Sequence, residues 1–233
     1  MLPIKDDIPT RSFPVVTVML IAANVATFLY QSSLSPRREL EMALRFGLVP
    51  AVITSLPHLD PGTVAPSLLT FLTSMFLHGD ILHLAGNMLF LWIFGNNVED
   101  ELGRFRFVFF YLCCGLIAAL TQVAALPRSS IPMVGASGAI AGVLGAYFIL
   151  FPTARILTLV PLFFISFVRL PAFVVLGMWF LFQILYSTLA ATRPGGGVAW
   201  FAHIGGFVAG MILLTVFRRD RVARRPPSRE DWV

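Results

Sequence analysis

The sequence predicts an all-α membrane protein, a bundle of six spanning helices whose long first loop lies in the membrane interface. Three observations predict it. Of the 233 residues, 57% are apolar and only 12% are charged, against roughly 25% charged in a soluble domain. Five runs free of Asp, Glu, Lys and Arg reach the ~20 residues a helix needs to cross a bilayer. Finally, the basic residues behind the net charge of +5 gather at run ends and in the tail, not on one face. That distribution suits membrane orientation rather than nucleic-acid binding.

The five runs are 13–34, 107–126, 131–151, 170–191 and 198–217. A sixth, 81–95, is shorter and contains His83 and Asn87, with apolar residues 68–77 ahead of it. The apolar stretch 156–168 is short and interrupted by Pro161, so it reads as an interfacial connection. The longest loop, 35–67, mixes apolar stretches with prolines and charges, as an interfacial segment does. Residues 1–12 form an N-terminal segment, 13–217 the membrane domain and 218–233 a basic, Pro-containing tail. The first run is too long for the apolar region of a signal peptide, so none is expected. Cys113 and Cys114 are adjacent and read as small packing residues without metal-ligand spacing.

Six spans put both termini on one side. That side then holds Lys5, Arg11, Arg104, Arg106, Arg155, Arg169 and six tail arginines, leaving Arg37, Arg38, Arg45, Arg128 and Arg193 opposite. The excess of basic residues marks the terminal side as cytoplasmic.

Lipid offers polar side chains no hydrogen-bond partner, so polar residues within spans carry the functional information. His83, Asn87, Ser137 and His203 lie near the starts of spans two, four and six. All three spans enter from the non-cytoplasmic side, which sets these residues within roughly 5–12 Å of one surface. Gly138, Gly142 and Ala146 form a small-residue stripe on span four, and Ala202, Gly206 and Gly210 form another on span six. Such stripes let membrane helices approach closely. Packed together, they would bring the Ser137 hydroxyl within reach of the His203 imidazole, the minimum for an activated serine. His83 and Asn87 share a helix face and can donate to an oxyanion, as can the Ser137 backbone N–H at a helix start. No acidic residue lies within a span, so a dyad and not a Ser-His-Asp triad is expected. His78 reads as an interface residue and His58 as a loop residue. A metal or proton pathway through His78, His83 and His203 is the competing chemistry, but it gives no reason for Gly138 after the serine or for Asn87.

At these residues the sequence resembles the rhomboid family of intramembrane serine proteases. The resemblance rests on Gly135-Ala136-Ser137-Gly138, on Ala202-His203-Ile204-Gly205-Gly206, and on the pattern from His78 through His83 to Asn87, with Asn97-Val98-Glu99 and Leu102-Gly103 after it. It runs from about residue 68 to residue 210 and implies a rhomboid-like fold. It implies that Ser137 is the nucleophile, that His203 is the base and then the acid, and that His83 and Asn87 hold the oxyanion. Implied too are single-pass transmembrane protein substrates cut near the non-cytoplasmic face, no metal or cofactor, and a mobile lid at 195–197. Two positions depart from the family pattern. Leu69-Thr70 stand where many members carry Trp-Arg, and Ala141 stands where some carry an aromatic ring stacked on the histidine. A non-cleaving rhomboid-like relative that binds membrane proteins is the second reading. The compact core suggests a bacterial plasma membrane.

Overall fold

The computed structural model describes residues 1–58, 60–161, 165–191 and 198–218. Most are helical. After a short strand β1 (Leu2–Lys5), helix α1 (Val15–Ser32) begins behind Pro14, in the first of the apolar runs. Thr17, Asn24 and Gln31 recur every seven residues, so they share the face of α1 turned into the protein, where all three are buried.

The first loop is built of short helices, α2 (Pro36–Phe46), α3 (Pro50–Thr54) and α4 (Pro61–Thr73), each with proline in its first turn. Proline is pre-set for that position and lacks only an N–H that would have no intrahelical partner. Leu48 of this loop forms an antiparallel bridge with Met133, tying the loop to the chain ahead of span four.

Helix α5 (Ile81–Phe90) is capped by Asp80, whose carboxylate accepts from the His83 backbone N–H. It continues through a π-helical turn (Leu91–Gly95) into α6 (Asn96–Leu102), so 81–102 is one apolar helical stretch. Glu99 of α6 is buried, and its two carboxylate oxygens accept from the backbone N–H groups of Val16 (3.0 Å) and Thr17 (2.8 Å). A carboxylate against the otherwise unpaired donors of a helix start stabilises that start, so α1 and α6 fix one another. Gly103, at φ +79°, makes the turn into α7 (Arg104–Ala125).

Helix α8 (Ser137–Leu150) starts six residues later than the apolar run 131–151 suggests. Pro132 and Gly135, the latter at φ +123°, oppose helix there, and the Gly135 N–H is held by the Ser74 carbonyl at 2.9 Å. The hydroxyl of Ser137 therefore belongs to the first helical residue. From Ala139 through Tyr147 every residue of α8 is buried, which makes it the central helix.

Two helices complete the bundle, α9 (Ala172–Ala191) and α10 (Trp200–Phe217). The small-residue stripes of α8 and α10 face each other. A Cβ on Gly206 would overlap the Gly138 carbonyl, and one on Gly210 would overlap the Gly142 carbonyl. Cys114 fills the space above Gly142, which is the packing role read for the cysteines.

The all-α expectation needs one correction. The segment 156–168, expected to be an interfacial connection, contributes to two paired antiparallel strands, β2 (Arg155–Pro161) and β3 (Ile165–Pro171), in register from Arg155↔Pro171 to Pro161↔Ile165. Strand β1 pairs antiparallel with β2, giving the order β1-β2-β3. The β-branched Ile156, Thr158, Val160, Ile165 and Val168 favour a pleated strand, and the third strand comes from the far N-terminus, which local patterning cannot reveal. Among the described residues, four helical stretches, 15–32, 81–102, 104–125 and 200–217, are long and apolar enough to cross a membrane, and 137–150 and 172–188 are shorter apolar helices. The protein is an integral, multi-pass membrane protein. The glycine loop 195–197 and the tail beyond residue 218 lie outside the described residues.

Candidate active site

Ser137 enters the site because α8 cannot begin before it, and His203 because it sits one turn into α10. The Gln122 side chain of α7 accepts from the Ala202 N–H at 3.2 Å and so anchors the first turn of α10. With the glycine seam setting the helix separation, His203 Nε2 lies 2.7 Å from Ser137 Oγ. His203 is nearly fully buried.

Its other ring nitrogen, Nδ1, lies 2.7 Å from Gln183 Oε1 on α9. The indoles of Trp179 and Trp200 flank the imidazole at centroid distances of 5.8 and 6.0 Å, the second edge-on. Ala141 is buried in the α8 seam, so the ring packing that some family members supply from that position comes here from α9 and α10.

His83 and Asn87 stand one turn apart on α5 and line the same cavity as His203. The Asn87 amide nitrogen is 2.9 Å from His78 Nε2. His78 is 1% exposed and packs edge-on against His83 at 5.1 Å, so it is a buried support of Asn87 and not an interface residue. A Cβ on Gly135 would clash with the Cε1 and Nε2 atoms of His83 at 2.8 Å, and only glycine leaves that imidazole edge its place. Asp80, through the helix cap, fixes where His83 begins its turn.

Ser137, His203, His83 and Asn87 all line one cavity of about 480 Å³, walled also by Ser74, Met75, Gly135 and Gly138. All four side chains expected to act together are thus brought together. The remaining histidine, His58, ends a short turn after α3 and is not among the residues that line the cavity. Leu69 is exposed, and the Thr70 hydroxyl donates within its own helix to the Ser67 carbonyl. Sequence reasoning missed Gln183, Gln122 and the burial of His78. A glutamine inside an apolar run was the available signal for the first two, since lipid cannot satisfy an amide.

Residues 65–220 match the sequence profile of the Rhomboid domain. The chain belongs to the rhomboid family. It is 32% identical over 152 residues to Rhomboid protein 1, mitochondrial, of Saccharomyces cerevisiae, covering 63% of this chain and 41% of that one. Over 75 residues it is 45% identical to Rhomboid protease GluP of Bacillus subtilis, covering 32% of this chain and 14% of that protein. Rhomboid-related protein 2 of Mus musculus matches at 26% over 205 residues, 88% of this chain and 64% of the mouse protein. The match to the yeast protein spans well under half of that relative's length. Relatives named as mitochondrial stand beside a bacterial one, so they do not favour the bacterial plasma membrane suggested by the compact core.

Proposed function

We propose that this rhomboid-family chain is an intramembrane serine endopeptidase that hydrolyses transmembrane protein substrates with a Ser137–His203 dyad. The observation that carries the reading is the 2.7 Å approach of His203 Nε2 to Ser137 Oγ at the wall of a cavity. Ser137 Oγ attacks the scissile carbonyl carbon while its proton passes to His203 Nε2. The carbonyl oxygen becomes an oxyanion facing the Ser137 N–H at the start of α8, His83 Nε2 and the Asn87 amide, whose second hydrogen is not needed by His78. Collapse expels the amine, which takes the proton from His203, and leaves an acyl ester on Ser137. A water molecule, deprotonated by His203, hydrolyses the ester and restores the serine.

In this reading the six apolar helices are six spans and both termini are cytoplasmic. The three helix starts that bear the site then face the other side, where single-pass substrates would be cut. The reaction requires no metal or cofactor. His203 is engaged at both nitrogens, by Ser137 and Gln183, which disfavours a metal or proton pathway shared with His78 and His83.

The test is cleavage of a panel of tagged single-pass proteins by the purified chain in liposomes. The wild type is expected to cut near the non-cytoplasmic end of the substrate helix, and Ser137→Ala to lose at least ~10⁴-fold in rate, as triad enzymes do without their serine. A fluorophosphonate probe applied in parallel is expected to label wild-type Ser137. Neither cleavage nor labelling would replace this reading with a rhomboid-like protein that binds membrane proteins without cutting them.

A further inference from the structure

Gln183 has no part in the dyad chemistry above, yet it is buried on α9 in a run without charges. A primary amide in such surroundings must satisfy both its ends within the protein. One end meets the carbonyl oxygen of Trp179, one turn back on the same helix, at 3.1 Å. A carbonyl oxygen can only accept, so the amide nitrogen must occupy that end. The amide oxygen is then the atom 2.7 Å from His203 Nδ1. An amide oxygen brings no hydrogen, so Nδ1 must carry the proton of that bond. The lone pair of a neutral imidazole then resides on Nε2, which is the atom facing Ser137 Oγ.

We propose that Gln183 is a positioning residue that holds His203 in its Nδ1–H tautomer and thereby aims the basic nitrogen at the Ser137 hydroxyl. The proposal deepens the protease reading and rests on it. During attack the Ser137 proton moves to Nε2, and the resulting imidazolium keeps its Nδ1–H on the Gln183 oxygen. No proton passes to the amide. A histidine fixed through its second nitrogen is the general device by which proteins choose a tautomer. A neutral amide performs it here without the cost of burying a carboxylate in an apolar bundle. The two indoles beside His203 restrict the ring laterally, and Gln183 alone among the described residues is bonded to its Nδ1.

The test uses the full chain in detergent micelles with ¹⁵N-labelled histidine, His203 being assigned by substitution. Two-bond ¹H–¹⁵N correlations are expected to show His203 as Nδ1–H in the wild type and as Nε2–H or a mixture in Gln183→Leu. An Nε2–H wild type, or a tautomer unchanged in Gln183→Leu, overturns the proposal. In cleavage assays Gln183→Leu is expected to lower kcat by ~10–100-fold with KM held, below the ~10⁴-fold cost of an enforced wrong tautomer. Gln183→Glu, which keeps an acceptor for Nδ1–H, is expected to recover most of that loss. A merely structural role would lower thermal stability in both variants and leave kcat per folded molecule unchanged, which also overturns it. Failure of the protease reading has a separate signature, an Nδ1–H tautomer dependent on Gln183 in a wild type that neither cleaves nor takes up fluorophosphonate.

Discussion

At its N-terminal end α8 presents Ser137 to an open cavity, whereas at its C-terminal end Tyr147 is buried against groups that satisfy one another. The Tyr147 hydroxyl donates to Asp6 Oδ2 at 2.7 Å, and the Asn97 amide donates to the same oxygen. Close by, Asp7 accepts from the Arg155 N–H at 2.9 Å, and Arg11 and Ser12 bond to Asp100 and Glu101. These contacts draw the N-terminal segment, the start of β2 and the end of α6 into one closed polar cluster. The site end is also polar, but its donors retain capacity that no acceptor among the described residues takes up. Asn87 spends one hydrogen on His78, and the imidazole edge of His83 borders the cavity. Around the two ends of α8 the apolar bundle thus uses polar groups in two ways. At one end they close on one another and fix the chain, and at the other they border a cavity.

Variants at the two ends should therefore separate rate from stability. Among the variants that compare the two ends, the largest effect is expected for Asn87→Ala. Loss of one oxyanion donor costs on the order of 10²–10³ in kcat with KM nearly unchanged, while the buried His78 Nε2 loses its partner and the unfolding free energy falls by about 1–2 kcal/mol. A drop in stability without a drop in kcat would move Asn87 into the structural class and erase the contrast. Next comes Tyr147→Phe, which leaves Asp6 with one donor fewer. A loss of about 1–2 kcal/mol in unfolding free energy is expected, with cleavage per folded molecule preserved. A fall in kcat here would mean that the closed end reaches the site through α8.

The smallest effect is a pH dependence at Asp6. Burial raises its carboxyl above the ordinary value of 3.8, with the Asp7 charge adding to it and the Tyr147 bond opposing it. Between 3.8 and the raised folded value the folded chain binds more protons than the unfolded chain. This group's contribution to stability is thus fully present below 3.8 and is lost as pH rises through the folded value. The melting-temperature difference between wild type and Asp6→Asn should shift against the wild type over that window. A flat difference would show Asp6 to be solvated like any surface carboxylate.

Much of the site was legible because membrane burial makes polar residues conspicuous. His83, Asn87, Ser137 and His203 announced themselves as polar residues near the starts of apolar runs, and the stripes through Gly142 and Gly206 told which helices meet. The six apolar runs correspond to helices, although α8 starts at Ser137 and not at residue 131. What could not be read was any pairing of distant segments without a periodic signature. Strand β1 joins strand β2 more than 150 residues away, between Leu2 and Leu159. Gln31, Gln122 and Gln183 are alike in sequence. Only packing sends the first to the His78 backbone, the second to the start of α10 and the third to His203.

The sequence by itself determined that the chain is a multi-pass membrane protein of apolar helices, and it marked the polar residues that the fold gathers around one cavity. Hydrophobicity and the 3.6-residue period are local properties, and one segment is enough to express them. The tertiary structure alone decided how His203 is held, because a tautomer depends on a hydrogen bond from a third helix whose rotation no single segment encodes.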